Sequence, residues 1–355
     1  MKRRHDERDL IFSRVRLEKG TKAYEDYYRE KPHLREGDDA VRGKTLRPRS
    51  KKDSAVLRRL LALLERKSNT LASLYDHLEA TPLGPTRRPF ESLVEPKTSM
   101  RRAGAVALGY VELNETHYYS HHGGLSTALG LENRGQPVSL PYTHAIAFLV
   151  RIDRDGLNCS PRLEGMLATE EAYLTIASIG AAMAIEFKKR GYESVFASEA
   201  YYPGPLVPLG MDAGLGEIGM ANHLVHPVYG NAVRIGAVYT TYPLKPDTPR
   251  LFSLATFCKR CALCLMNCPS KSIKPHPRIV NGRTHYKMDD QTCHAMWFRS
   301  GTDCAVCLKS CPFSQGVDEA DIEKMQEDPE LIDAIVEKHI KKHGRHPRCR
   351  PQEET

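Results

Sequence analysis

No run of about 18 apolar residues, the length needed to span a bilayer, occurs anywhere in this chain. The N-terminus contains Arg3-Arg4, but the apolar core and small-residue cleavage site of an export signal do not follow. A cytoplasmic protein is expected, in a compartment where thiols stay reduced. Internal repeats are also missing, apart from one pair of cysteine motifs. With 41% hydrophobic and 27% charged residues the composition is that of a soluble globular protein, which excludes a disordered chain. At 355 residues there is room for two domains and a sizeable core. The net charge of +8 singles out no partner, because Lys and Arg are spread along the chain and their densest group, Arg47-Pro-Arg-Ser-Lys51-Lys52, reads as a solvated linker. A basic surface that docks an acidic electron donor accounts for that charge as well as nucleic acid does.

Cysteine, by contrast, is concentrated. Eight of the ten cysteines fall between Cys258 and Cys311. Cys258, Cys261, Cys264, Cys268 and Pro269 follow the C-x2-C-x2-C-x3-C-P spacing, in which three thiolates close on one [4Fe-4S] cube and the fourth reaches a second. The second run, Cys304, Cys307, Cys311 and Pro312, repeats the ending, with ten residues separating its leading cysteine, Cys293, from Cys304. By this crossed logic Cys258, Cys261, Cys264 and Cys311 hold one cube, and Cys268, Cys293, Cys304 and Cys307 the other. Disulfide frameworks belong to small secreted chains, and a zinc ribbon is complete at four ligands. Two [4Fe-4S] clusters are expected. Cys159 has no nameable partner, and Cys349 reads as incidental in a frayed tail, Pro347–Thr355.

The remaining chain reads as α/β (α+β). Residues 1 to about 52 are charged, broken by Gly20, Pro32, Gly37 and Gly43, and carry an aromatic knot at Tyr24, Tyr27 and Tyr28, which suggests an arm wrapping the body. From Lys51 to about Leu78, apolar residues at Val56, Leu57, Leu60, Leu61, Leu64, Leu71, Leu74 and Leu78 predict an amphipathic helix or helical pair. Strands are expected at Ala103–Leu113, His144–Ile152 and Val233–Thr241. Between the last two, a helix from about Thr169 to Arg190 is capped by Gly191 and rich in small residues, a face suited to close approach of a sheet or a flat cofactor. A last helix runs from Asp318 to His343, acidic at its start and basic at its end. The expected organisation is an arm with helices (1–95), an α/β domain (96–250), a ferredoxin-like two-cluster domain (251–317) and a C-terminal helix with tail (318–355).

Gly214-Leu-Gly216-Glu-Ile-Gly219 satisfies G-x-G-x-x-G, yet the proline-rich Tyr202–Pro208 before it cannot be a central strand, and no acid follows Glu217 until Asp247. What remains is a tight turn whose glycines admit a close approach.

The passage containing Asp212-Ala-Gly-Leu-Gly-Glu217, followed by Tyr229-Gly-Asn-Ala-Val-Arg234 and then by the double cysteine motif with its stretched leader, resembles the cobalamin-binding core of the reductive dehalogenases. The arm, from Glu7 to Arg14 and Gly20 to Tyr28, and the stretch Cys293-His-Ala-Met-Trp297 resemble the cytoplasmic, catabolic branch of that family. The resemblance implies a nitroreductase-like domain holding base-off cobalamin, with contacts at Gly214, Leu215, Gly216, Glu217, Gly219, Tyr229 and Gly230. No D-x-H-x-x-G segment is present to supply a histidine to cobalt, in agreement with the family.

Replacing halogen by hydrogen on an organohalide consumes two electrons and one proton, so a proton donor is required beside a low-potential metal. In the family that donor is a tyrosine early in the long helix, poised by a Lys or Arg further along, places that Tyr173 and Arg234 match. A guanidinium there favours phenolate and lowers a pKa that ordinarily lies near ~10. A third polar residue of some relatives falls around Ser198–Tyr201, where Ala-Ser-Glu-Ala-Tyr-Tyr-Pro is no clear match. The resemblance further implies a small organohalide substrate, a halogenated aromatic by family precedent, and leaves a homodimer open. With no visible flavin or NAD(P)H module, the expected electron donor is a separate ferredoxin or flavodoxin. Two rivals stand beside this reading. Epoxyqueuosine reductase shares the cobalamin domain and cluster pair, but its A-G-L-G-W turn and V-D-x-x-P segment do not occur here. A plain ferredoxin-type carrier without corrinoid leaves about 250 residues before the first cysteine run unused.

Overall fold

The computed structural model describes residues 4–47, 54–90, 95–124, 134–199, 201–249 and 251–349. Most of the expected basic linker, the last residues of the tail and Ala200 of the doubtful 198–201 segment lie outside the described residues. Strands β1 (Ala107–Glu112), β2 (His144–Arg151) and β3 (Ser194–Ala197) come first in the chain, then the two-residue strands β4 (Glu217–Ile218) and β5 (Leu224–Val225), then β6 (Val233–Thr240). The sheet order is β1-β2-β6-β3, and every neighbouring pair is antiparallel. Ala145–Val150 are all buried, because the long helix Leu163–Lys189 covers one face and the short helix Leu206–Asp212 the other. Burial on both faces explains why β2 reads as a continuous apolar run without alternation.

The long helix begins six residues before its expected start and ends in a Schellman turn. Gly191, at φ +84°, donates to the Lys188 carbonyl at 2.9 Å, and Tyr192 to that of Phe187 at 3.1 Å. Its small residues serve the sheet: a Cβ at Gly180 would stand 2.9 Å from Phe196 Cβ in β3. β3 itself was not anticipated. Nor does a strand begin at Ala103, since Pro96–Arg102 is helical and Gly104, at φ +111°, turns the chain into β1.

Ala55–Ala80 is one 26-residue helix, not a pair, capped by the Ser54 hydroxyl. Its buried stripe is Leu60, Leu63, Lys67, Leu71, Tyr75 and Leu78, with Leu61 turned outward. The expected final helix is two, Glu319–Glu327 and Leu331–His343. Pro329 makes the break, because it can neither donate to the preceding turn nor leave residue 328 helical. These helices bring Ile322, Met325, Ile332 and Ile335 against Phe252, Leu254, Phe257 and Phe313 of the cysteine segment. Inside that segment β7 (Ile273–Val280) and β8 (Arg283–Met288) form a hairpin across Asn281-Gly282, both at positive φ, the signature of a type I′ turn.

Cys159 and Cys349, read from sequence as unpaired and incidental, are joined by a disulfide that ties the C-terminal segment to the loop before the long helix. Spacing carries no signal for such a bond across 190 residues. Among the described residues no helix is long and apolar enough to cross a membrane.

Residues of the N-terminal segment meet the cysteine region. Leu17, Tyr24 and Tyr28 form a small core of their own. Arg14, nearly fully buried, reaches Asp38 at 2.7 Å and Asp290 at 2.8 Å, and Gln291 donates to Asp38 at 2.9 Å. The helix so gripped, Asp290–Ser300, carries Cys293. Removing one partner of a buried ion pair strands the other, at about 3–5 kcal/mol. Arg14→Met should therefore lower the melting temperature by several degrees in thermal unfolding. Arg14→Lys should restore only part, since an ammonium lacks the planar fork that spans two carboxylates.

Candidate active site

Tyr173 sits on the long helix one turn after Glu170, and Arg234 is the second residue of β6, paired in register with Val150. The expected partners meet: the Arg234 guanidinium lies 5.0 Å from the centre of the half-buried Tyr173 ring. Arg234 also reaches Asp303 at 3.5 Å, while its Nε is buried without a partner.

A second cation, not anticipated, approaches the same ring. Lys67, 8% exposed in its side chain, places its ammonium 5.5 Å from the ring centre and forms ion pairs with both Glu170 and Glu199. Glu199 belongs to the doubtful 198–201 segment, so that segment supplies a carboxylate while the extra cation comes from the helix Ala55–Ala80. The sequence held a signal for this. Lys67 occupies a core position of the stripe running from Leu60 through Leu63 to Leu71, where a lysine is tolerated only if paired.

Two cations therefore face three carboxylates. Burial raises the pKa of Glu199, partly offset by Lys67, and burial likewise raises Asp303, partly offset by Arg234. Lys67 is raised, its two carboxylates outweighing the larger single effect of its burial. For Tyr173 the expected lowering is overturned. Burial dominates and raises it; Arg234 pulls it down, but Glu199, Asp303 and Glu170 push it up again. The ring is held as a neutral phenol, able to give a proton.

Close approach is seen at two positions, Gly216 of the glycine turn and Gly230. A Cβ at Gly216, at φ +150°, would fall 2.1 Å from the Val225 carbonyl, and one at Gly230, at φ +60°, 2.2 Å from the Ser314 nitrogen. What comes close to these glycines is the chain's own backbone. Gly214 is also at positive φ, Leu215 is buried, and Tyr229 packs on His226 with ring centres 4.9 Å apart. Glu217 accepts from the backbone of Phe252 at 2.5 Å and of Leu254 at 3.4 Å, fastening the turn to the helix that carries Cys258 and Cys261. Gly219 stands by Cys258, its Cβ position 3.8 Å from the sulfur. Between β4 and β5, Asn222 holds a buried Oδ1 with no partner, and His223 lies 3.9 Å from Cys307. Asn222 Oδ1 and Arg234 Nε are thus two buried polar atoms with no partner in the fold.

The mutual influences among the eight cysteines run mostly within two sets. Burial first, then Cys311 and Cys261, raises Cys258, and Cys264 is raised by burial and by Cys258, Cys311, Cys307 and Cys261. Burial, then Cys304 and Cys268, pushes Cys293 up to about 12, and Cys307 is raised by burial and by Cys293, Cys304 and Cys268. Most of these influences fall within the quartets expected from spacing, and that of Cys307 on Cys264 runs between them. Backbone N–H groups face several of the sulfurs, among them that of Ser272, 3.3 Å from Cys268. Among the described residues no three donors converge on a point as a mononuclear ion would require. The chemistry of the donors, eight free thiols with backbone N–H groups near them, is that of cluster ligands.

No family model matches the chain. A tetrachloroethene reductive dehalogenase of Sulfurospirillum multivorans is 26% identical over 272 residues, 66% of this chain and 54% of that protein. A tetrachloroethene reductive dehalogenase of Dehalobacter restrictus is 28% identical over 182 residues, 48% of this chain and 33% of that protein. An epoxyqueuosine reductase of Listeria monocytogenes is 31% identical over 126 residues, 34% of this chain and 32% of that protein. The solved structure of the catabolic reductive dehalogenase NpRdhA in complex with 3-bromo-4-hydroxybenzoic acid shares the fold, with a TM-score of 0.66 at 20% identity over 82% of this chain and 42% of that one. The chain spans 54% and 33% of the length of the two dehalogenases. Its mixed helix-and-sheet fold resembles reductive dehalogenase structures. The chain is thus similar in sequence, over part of their length, and in fold to reductive dehalogenases.

Lys67→Met should leave Glu170 and Glu199 facing each other with no cation between them. A carboxyl whose folded pKa is raised contributes stability at low pH that is lost as pH climbs from its unfolded value toward the folded one. The variant should melt below wild type at pH 7 and close that gap as pH falls toward 4.5, the ordinary Glu value, and Glu199→Gln added to it should recover part of the loss. Melting temperature measured against pH checks both outcomes.

Proposed function

We propose that the chain is a cobalamin-dependent reductive dehalogenase that replaces halogen by hydrogen on an organohalide, with two [4Fe-4S] clusters supplying the electrons. The observation that carries this reading is Tyr173, a phenol held neutral beside Arg234 and Lys67, with Arg234 reaching Asp303 next to Cys304. Cobalamin, when bound, supplies the low-potential metal that acts on the carbon–halogen bond. Tyr173 holds the required proton at its Oη. Arg234 favours the phenolate left when that proton is given up, and the raised carboxyls of Glu199 and Asp303 stand close enough to influence its return.

Gly214, Leu215, Gly216, Glu217, Gly219, Tyr229 and Gly230 are the proposed corrinoid contacts, with Asn222 Oδ1 and Arg234 Nε as unpaired atoms for its polar groups. Cys258, Cys261, Cys264 and Cys311 are proposed for one cube, and Cys268, Cys293, Cys304 and Cys307 for the other. A cytoplasmic setting is proposed for the eight free thiols, to which the Cys159–Cys349 disulfide stands as the exception. Halogenated phenols are the favoured substrate class, because the neighbouring structure holds a bromophenol acid.

On protein reconstituted with hydroxocobalamin, iron and sulfide, turnover should be found within a panel of halogenated phenols and chloroethenes. Tyr173→Phe should lose at least about 10²-fold of that rate, with corrin absorbance and iron content unchanged. A fully active variant removes Tyr173 from the chemistry, and activity confined to epoxyqueuosine-containing tRNA refutes dehalogenation. Cys293→Ser should lose one cube, seen as half the bound iron and one of two sets of reduced-cluster electron paramagnetic resonance signals, whereas Cys159→Ser should keep both.

A further inference from the structure

From Leu251 to Met288 the chain carries seven Lys or Arg residues and no Asp or Glu. Met266, 46% exposed, stands in the middle of this stretch between Cys264 and Cys268, which belong to different thiol sets. Lys271 donates to the Met266 carbonyl at 3.0 Å, and Lys274 to the Lys271 carbonyl at 2.9 Å, so both cations are anchored at the rim of that exposed thioether. Asn267 donates to the Arg345 carbonyl at 2.6 Å, bringing a third, exposed cation alongside. Lys259 is exposed on the helix that carries Cys258 and Cys261. Among the described residues none of Lys259, Lys271, Lys274 and Arg345 has a carboxylate within ion-pair distance, whereas Arg260 is taken by Glu330 and Asp333.

We propose that this face docks a small acidic iron–sulfur carrier of the ferredoxin type, an inference that rests on the reading of the chain as a cluster-bearing oxidoreductase. Uncompensated cations around an apolar centre complement an acidic protein whose own redox group lies near its surface, and contacts of this kind are small and steered by charge. Nucleic acid fits less well. Single strands need exposed aromatic faces for stacking, and Phe252, Phe257 and Tyr286 of this segment are all buried. In the step served, the carrier's reduced iron–sulfur centre loses one electron and the acceptor behind Cys264 and Cys268 gains it; no atom is transferred.

The probe is a reduced acidic [2Fe-2S] ferredoxin, with binding to the reconstituted protein measured by surface plasmon resonance at low and high salt. Wild type should bind it, more weakly as salt rises, and Lys271→Glu/Lys274→Glu should bind roughly tenfold more weakly or worse. Ferredoxin-driven turnover should fall in parallel, with turnover driven by reduced methyl viologen unchanged. Absent binding by wild type, equal affinity in the variant, or an RNA stem-loop that holds this face more tightly than ferredoxin each overturn the proposal. Intact, salt-sensitive ferredoxin binding without any methyl viologen-driven dehalogenation supports the docking face and sinks the dehalogenase reading instead.

Discussion

A buried imbalance of charge around one phenol organises this molecule. Lys67 and Arg234 face Glu170, Glu199 and Asp303, and these five groups come from the helix Ala55–Ala80, the long helix, the segment after β3, β6 and the cysteine region. None of them is tolerated alone in a protein interior. Each fixes the element that bears it relative to the others, so the arrangement of helices, sheet and cysteine segment and the state of Tyr173 are settled together. Burial, only partly offset by the two cations, raises the carboxyls of Glu199 and Asp303 and keeps Tyr173 protonated, with the neighbouring acids adding to the effect on the phenol.

The cysteine segment is embedded. Its apolar side chains share a core with the last two helices, the arm grips the helix of Cys293 through Arg14, and Glu217 clasps the start of the helix of Cys258 and Cys261. Eight thiols that must keep fixed spacings are thereby held by three parts of the chain remote in sequence. The cost of that arrangement is visible in the glycines: Gly216 and Gly230 are where backbones meet at distances no side chain would permit.

Local signals were legible and paired ones were not. The strands at His144–Arg151 and Val233–Thr240, the Gly191 cap and the aromatic knot follow from patterns only a few residues long, and the structure places them close to where the sequence predicts. β3 is four residues long and owes its place to pairing with β6, so nothing local announces it. Asn281-Gly282 was a readable hairpin signal overshadowed by the cysteine spacing around it, and Pro329 a readable break overshadowed by the charge gradient of the final helix. Lys67 is the instructive case. A hydrophobic pattern records where apolar residues fall, and a lysine inside the stripe registers as a gap until its two carboxylates are known.

Tyr173 differs in the opposite sense. Arg234 is its neighbour, yet one cation does not set a pKa where burial and three acids act on the same ring. Direction follows from the sum of influences, and only the assembled interior shows how many there are. A phenol that keeps its proton is also the more useful state for a donor, because a ring already ionised at neutral pH would have nothing to give. In the proposed chemistry Arg234 eases formation of the phenolate as the proton leaves, since it does not create one at rest. Its second contact, Asp303, immediately precedes Cys304, so the group that steadies Tyr173 is anchored to the residue before a thiol of the second set.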